Sequence, residues 1–212
     1  MLSKSRGNGK QLVICDCEIN NGKPVFLNIG DEEPVALFGG RMHAAAITNN
    51  GEIIIINRNS IENYTNSRFY TVSLPEGEKA LSVACCYNKF YALSSKGQVF
   101  ECSEIQMKRS YSFSIVKELI GHEIINLSGT NNHCLAVSRN GTVFGCGSNE
   151  NGRLGFEVGL HDFPVFTEIS TLNKYKIKAA YAGGLHSLFQ TVEGKILSCG
   201  CNENGQLLIN KD

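Results

Sequence analysis

The sequence has no tryptophan, only four prolines, and no excess of either charge. Lys plus Arg and Asp plus Glu both number 20, so the formal net charge is zero. That balance argues against a chain-wide nucleic-acid footprint, which needs a clear basic excess. The first ten residues carry Lys4, Arg6 and Lys10 with no acid, and they read as a short, flexible, solvated tail. Long hydrophobic runs are missing too. The most apolar stretch, residues 53–56, falls far short of the roughly 20 residues a membrane-spanning helix needs. Nothing after Met1 resembles a secretory leader, so the expectation is a soluble chain of the cytoplasm or nucleus. In that setting the sequons at Asn63, Asn126 and Asn140 carry no meaning, and Asn126 sits in an apolar run expected to be buried. The nine cysteines are odd in number and contain no C-x-x-C pair, which favours reduced thiols acting as small hydrophobes over a disulfide framework.

What is present is a repeat. Four segments share one order: an apolar strand, a small-residue turn, a second strand, a turn ending in Gly, and a third strand. The turn glycines Gly51, Gly97, Gly141 and Gly194 are 46, 44 and 53 residues apart, and eight positions before them stand His43, Lys89, His133 and His186. Asn50-Gly51 and Asn140-Gly141 predict type I′ hairpins, whereas Lys96-Gly97 and Glu193-Gly194 supply only the glycine and predict a Gly bulge. Residues 69–74, 113–118 and 164–169 read as outer strands. Residues 171–178 read equally as a helical turn or a loop. Four strands per unit of about 45–50 residues is the arithmetic of a propeller blade. The predicted fold is all-β, a partial or small β-propeller of about four antiparallel blades.

Two closing elements carry a family resemblance. Cys146-Gly147-Ser148-Asn149-Glu150-Asn151-Gly152-Arg153-Leu154-Gly155 and Cys199-Gly200-Cys201-Asn202-Glu203-Asn204-Gly205-Gln206-Leu207 resemble the regulator-of-chromosome-condensation repeat, with Cys where that family has Trp. Residues 13–22 look like an eroded copy. The resemblance implies blades at about 34–57, 79–103, 123–155 and 176–208 within residues 11–212, after the tail 1–10. It departs from the family at the residue before each turn glycine, where Asn50, Lys96, Asn140 and Glu193 replace Asp. The family ring has seven blades, so four imply an open arc completed by a second copy or another partner, a compact small ring, or a truncated product. The open arc is favoured. The family founder is an exchange factor for a small nuclear GTPase and binds nucleosomes, while many relatives serve only as interaction modules.

The remaining motifs are weak as sites. Equivalent positions on successive blades spread around a ring, so His43, His133 and His186 suit a structural role, each bonding a neighbouring turn. In the founder some repeat histidines face the GTPase. Cys15/Cys17, Cys199/Cys201 and Cys85-Cys86 lack zinc spacing; Cys146 and Cys199 are expected to fill core volume. Asn149-Glu150-Asn151-Gly152 fails the calcium-loop register, which would place Gly147 first and Val158 twelfth. No phosphate loop, nucleophile elbow or nucleophile–base pair is evident. The reading is therefore no catalytic, cofactor or metal residues. Loops 57–68 and 104–112, the latter with Met107, Lys108, Arg109 and Tyr111, are expected to be exposed, and exposed loops on a rigid scaffold commonly bind partners. The function expected is a non-enzymatic scaffold or adaptor binding other proteins. The alternative is an exchange factor for a small GTPase, although no acidic hairpin suited to wedging open a nucleotide site is present.

Overall fold

The computed structural model describes residues 11–14, 25–29, 32–39, 43–57, 69–86, 89–105, 110–130, 132–156 and 162–207. The N-terminal tail, most of loop 57–68, the tip of loop 104–112, and Cys15 and Cys17 lie outside the described residues. A two-stranded sheet, β1 (Gln11–Ile14) and β2 (Val25–Asn28), comes first. Blade one is β3 (Pro34–Gly39), β4 (His43–Thr48), β5 (Ile53–Asn57) and β6 (Phe69–Val72); blade two is β7 (Ala80–Cys86), β8 (Lys89–Ser94), β9 (Val99–Ile105) and β10 (Ser110–Ile115). Blade three is β11 (Ile124–Gly129), β12 (His133–Ser138), β13 (Val143–Ser148) and β14 (Asp162–Glu168). Blade four is β15 (Ile177–Ala182), β16 (His186–Thr191) and β17 (Ile196–Gly200), three strands among the described residues. Every blade runs in sequence order with all neighbours antiparallel. Short 3-10 turns, including Ser170–Leu172 within the segment 171–178, are the only helical elements among the described residues.

The blades form because their strands are apolar on both faces. Ile53 and Ile55 pack towards blade two, while Ile54 and Ile56 pack the other way with Ile29. A strand sandwiched between two sheets loses the usual polar–apolar alternation, which is why residues 53–56 read as one run. Each such side chain, fully buried, contributes on the order of 1.5–3 kcal/mol. One apolar cluster joins blades one and two, a second joins two and three, and a third joins three and four. None of these clusters joins blade four to blade one.

The two Asn-Gly hairpins differ from expectation, whereas those at Gly97 and Gly194 are the Gly bulges their sequence predicts. Neither Asn50 nor Asn140 has positive φ, so type I′ turns are absent there. All four hairpins instead use a three-residue loop, in which the N–H of the turn glycine donates to the carbonyl of Thr48, Ser94, Ser138 or Thr191 three residues back. Only the glycine takes the left-handed conformation, at +92° for Gly141. This is the type I turn with a Gly bulge, whose twist matches the flanking strands. The Ser/Thr hydroxyl secures the loop: the Glu52 and Lys195 N–H groups donate to Thr48 and Thr191 Oγ1 at 3.2 Å, and Gln98 N–H donates to Ser94 Oγ at 3.3 Å.

The same turns link the blades. Ala80 N–H donates to Gly51 O at 3.0 Å, Ile124 N–H to Gly97 O at 2.9 Å, and Ile177 N–H to Gly141 O at 3.4 Å. The first residue of blades two, three and four is thus tied to the glycine of the blade before. Blades three and four are tied again through side chains: Asn126 Oδ1 accepts from Ala180 N–H at 2.8 Å, and Ser128 Oγ from Ala182 N–H at 3.0 Å. The Asn126 sequon therefore lies in an interblade joint.

Candidate interaction site

The repeated histidine position behaves differently in each blade. His43 lies on β4, and its side chain is outside the described residues. His133 is fully buried, and its Nε2 lies 2.8 Å from Ser187 Oγ on the next blade. Ser187 in turn donates to the Arg153 carbonyl at 2.6 Å. With its proton committed there, Ser187 accepts from His133, which fixes the Nε2–H tautomer. His133 Nδ1 has no hydrogen-bond partner among the described residues. Burial, with Arg153 and His186 adding their charges, lowers the His133 pKa to about 4. The imidazole is neutral, and its partner is the second strand of the following blade rather than a neighbouring turn. The His186 ring covers the space beside Gly183, where an added Cβ would clash with it. The described histidines do not converge.

The closing signature of blade three is a wedge. Asn149 Oδ1 accepts from Leu154 N–H at 3.0 Å, and Asn202 Oδ1 repeats this with Leu207 N–H at 3.0 Å. Asn151, at φ +59°, helps turn the chain. The loop so held inserts Arg153 and Leu154, both fully buried, between blades three and four. Arg153 donates from Nε to Glu150 O and from Nη2 to Glu150 Oε2, each at 2.8 Å. Gly145 leaves room for Leu154, whose Cδ2 would lie 2.9 Å from a Cβ there.

Among the described residues, blade two has no such wedge. Its third strand continues to Ile105 and turns into β10, and position 89 holds Lys in place of His. Lys89 Nζ pairs with Glu101 Oε2 at 3.0 Å on the sheet itself instead of reaching blade three. The space that the wedge fills between blades three and four is left between blades two and three as a cleft of about 370 Å³. Cys86, Tyr91 and Cys146 line its depth, and Lys89, Asp162, Phe163 and Pro164 lie towards its mouth. The Phe163 ring is held by stacking on Phe156, centroids 3.8 Å apart. Burial raises the Tyr91 pKa and pushes the Cys86 thiol up to about 12, so the depth of the cleft is uncharged and apolar.

Cys85, Cys102 and Cys134 fill core volume as well. Cys102 and Cys146 occupy the repeat position at which the closing Cys stands, and both are buried in interblade clusters. Cys199, half-buried, approaches the Arg153 carbonyl at 3.3 Å. Cys85 and Cys86 point to opposite faces of β7 and join different clusters. Loop 104–112 is a correction. Residues 104–105 and 110–112 belong to β9 and β10, and Tyr111 is buried with its ring against Tyr70 and Phe90. The alternation Tyr111, Phe113, Ile115 was the available signal for a strand.

Stacked antiparallel blades of three or four strands define a partial β-propeller. Part of it is similar to the regulator of chromosome condensation repeat, two models of which match residues 124–153 and residues 140–190. The chain is 32% identical over 96 residues to human E3 ubiquitin-protein ligase HERC2, which covers 44% of this chain and 2% of that protein. It is 26% identical over 210 residues to an RCC1 domain-containing protein of Dictyostelium discoideum, covering 86% of this chain and 27% of that one. Yeast RCC1 (Prp20), solved bound to Kap60, superposes with a TM-score of 0.70 at 20% identity, over 84% of this chain and 46% of that one. Human WBSCR16 gives 0.65 at 22%, over 80% and 47%. The chain thus spans about half of those solved structures and far less of the curated relatives. No helix among the described residues is long and apolar enough to cross a membrane.

Proposed function

We propose that the chain is a non-enzymatic interaction module, and that the cleft between blades two and three takes an anchor side chain of a partner protein. The observation that carries this is the missing wedge of blade two. It leaves an apolar slot beside Phe163, rimmed by an acid and an ion pair, where the joint between blades three and four is filled. Binding energy in such interfaces concentrates in one or two large side chains set in a desolvated pocket. A single aromatic or long aliphatic residue fits the chemistry of the slot, with a polar neighbour meeting Lys89 or Asp162.

The test is selection of a displayed random-peptide library on the whole chain. Enriched sequences should share one large apolar anchor, and their affinity should fall at least tenfold in Phe163→Asp but not in Leu81→Asp, an exposed position on β7. No enrichment, or binding indifferent to Phe163, would remove the cleft from the reading. The exchange-factor alternative is tested separately, by nucleotide release from a panel of small GTPases. The interaction reading expects no acceleration, and a dose-dependent acceleration would replace it.

A further inference from the structure

β6, β10 and β14 are the outermost strands of blades one, two and three. Natural sheets blunt such rims with short strands, proline, irregular pairing and charge. β6 is only four residues long. β14 holds Pro164, carries Asp162 and Glu168 at its two ends, and shifts register where it passes from Gly145 to Gly147. β10 has none of these guards. It runs Ser-Tyr-Ser-Phe-Ser-Ile from Ser110 to Ile115, without charge or proline, and pairs with β9 in one unbroken register. Blade two packs on blade one by one face and on blade three by the other, so this edge is a rim and not an end of the stack. One bond shows which groups the edge presents. Val116 N–H donates to Val99 O at 2.9 Å, and in an antiparallel ladder such bonding alternates along the strand. Ser112 and Ser114 therefore bond to β9, while the N–H and C=O of Phe113 and Ile115 point outward. Among the described residues those outward groups have no backbone partner. The side chains alternate as well. Tyr111 and Phe113 are buried against blade one with Ile115 beside them, whereas Ser112 and Ser114 are exposed.

We propose that β10 pairs antiparallel with β10 of a second copy of the chain, about a two-fold axis through Phe113, and joins the two blades into one sheet. This surface is separate from the cleft and does not depend on it. The occupant follows from the strand being its own complement. In this register Phe113 faces Phe113, Tyr111 faces Ile115, and Ser112 faces Ser114. Apolar side chains meet on one face and hydroxyls on the other, the pairings that stabilise neighbouring strands. The outward N–H of each Phe113 lies opposite the outward C=O of its copy, as an isologous contact requires. A slip of one residue would set serines against aromatic rings, which fixes the register. An unrelated extended peptide could add to the same edge, but residues 110–115 offer no charge by which to select one. The alternation they do offer is matched by β10 itself.

The test is sedimentation equilibrium of the whole chain, which should show a dimer at micromolar concentration. Ser112→Lys combined with Ser114→Lys, both at exposed positions, sets like charges across the pair and should raise the dissociation constant roughly tenfold or more. A thermal melt checks that this variant folds. Ser112→Asp combined with Ser114→Lys sets opposite charges across the same pair and should restore the dimer. The register is read by mixing Ser112→Cys chains with Ser114→Cys chains under mild oxidation. The mixture should form the covalent dimer roughly tenfold faster than either chain alone, because only the mixture places the two thiols directly opposite. A monomer at every concentration, a dimer indifferent to the lysines, or equal cross-linking with and without mixing would each overturn the proposal. None of these outcomes bears on the cleft, whose peptide binding is read at Phe163.

Discussion

Gly141 and Lys176 meet across a blade boundary so closely that the Cβ Gly141 lacks would sit 2.9 Å from Lys176 Cγ and 3.1 Å from Ile177 N. Gly194, in the same turn of blade four, has no such neighbour. Both positions hold a left-handed backbone, which costs an L-residue roughly 1–2 kcal/mol. Gly194→Ala should therefore lose about that much and Gly141→Ala more, in total roughly 2–4 kcal/mol, through the added interblade crowding. Urea midpoints measure the difference. Equal midpoints would show that the turn glycines are not interblade joints.

His133 makes stability depend on pH in a defined direction. Its folded pKa, about 4, lies below the ordinary 6.5, so the unfolded chain binds the extra proton first. Stability from this group is complete above pH 6.5 and falls as the pH drops from 6.5 towards 4, by up to about 3 kcal/mol. The slope flattens once the folded histidine itself protonates. His133→Gln should flatten the slope between pH 6.5 and 4.5 in chemical denaturation, at the expense of some stability at neutral pH.

Arg153 is charged and fully buried, while its partner Glu150 is largely exposed, with 72% of its side chain accessible. Arg153→Ala should destabilise by about 3 kcal/mol or more, since it empties the wedge and leaves the surrounding polar groups unmatched. Arg153→Gln, the residue that Gln206 supplies in the next closing element, should cost less. By removing a positive charge near His133 it should also raise the histidine pKa, and a proton-detected titration of the imidazole reads that shift.

Buried thiols are inert thiols. Burial pushes Cys85 and Cys86 up to about 12 and Cys102 up to about 11, so at pH 8 almost none of each is thiolate. Iodoacetamide footprinting of the native chain should leave all three unmodified, and label them only under denaturant. Fast native labelling of Cys85 would contradict the packing of blades one and two.

Most of the blade architecture was legible because one spacing, turn glycine to turn glycine, is enforced by the stacking itself. The turn chemistry was misread. Asn-Gly suggests left-handed backbone at both residues, but here the preceding Ser or Thr, fixed at Thr48, Ser94, Ser138 and Thr191, binds the loop and leaves only glycine in that region. That Ser/Thr register was visible and is the better signal. Tyr111 was placed in a loop because a charged segment precedes it, although its alternation with Phe113 belongs to a strand. The cleft was illegible for a different reason. It arises from a wedge absent after Cys102, and a void between two sheets has no residue of its own to announce it.

Pro34 has a consequence for growth. An arc whose trailing face fitted its own leading face would add copies head to tail, and unless the rotation closed, the product would be a filament. Pro34 has no N–H to donate, so the bond that ties Ala80, Ile124 and Ile177 to the turn glycines before them cannot be repeated at the first strand of blade one, where Ile29 is buried instead. Proline at a strand start removes a backbone donor from the sheet edge, one of the ways natural sheets avoid edge-to-edge pairing.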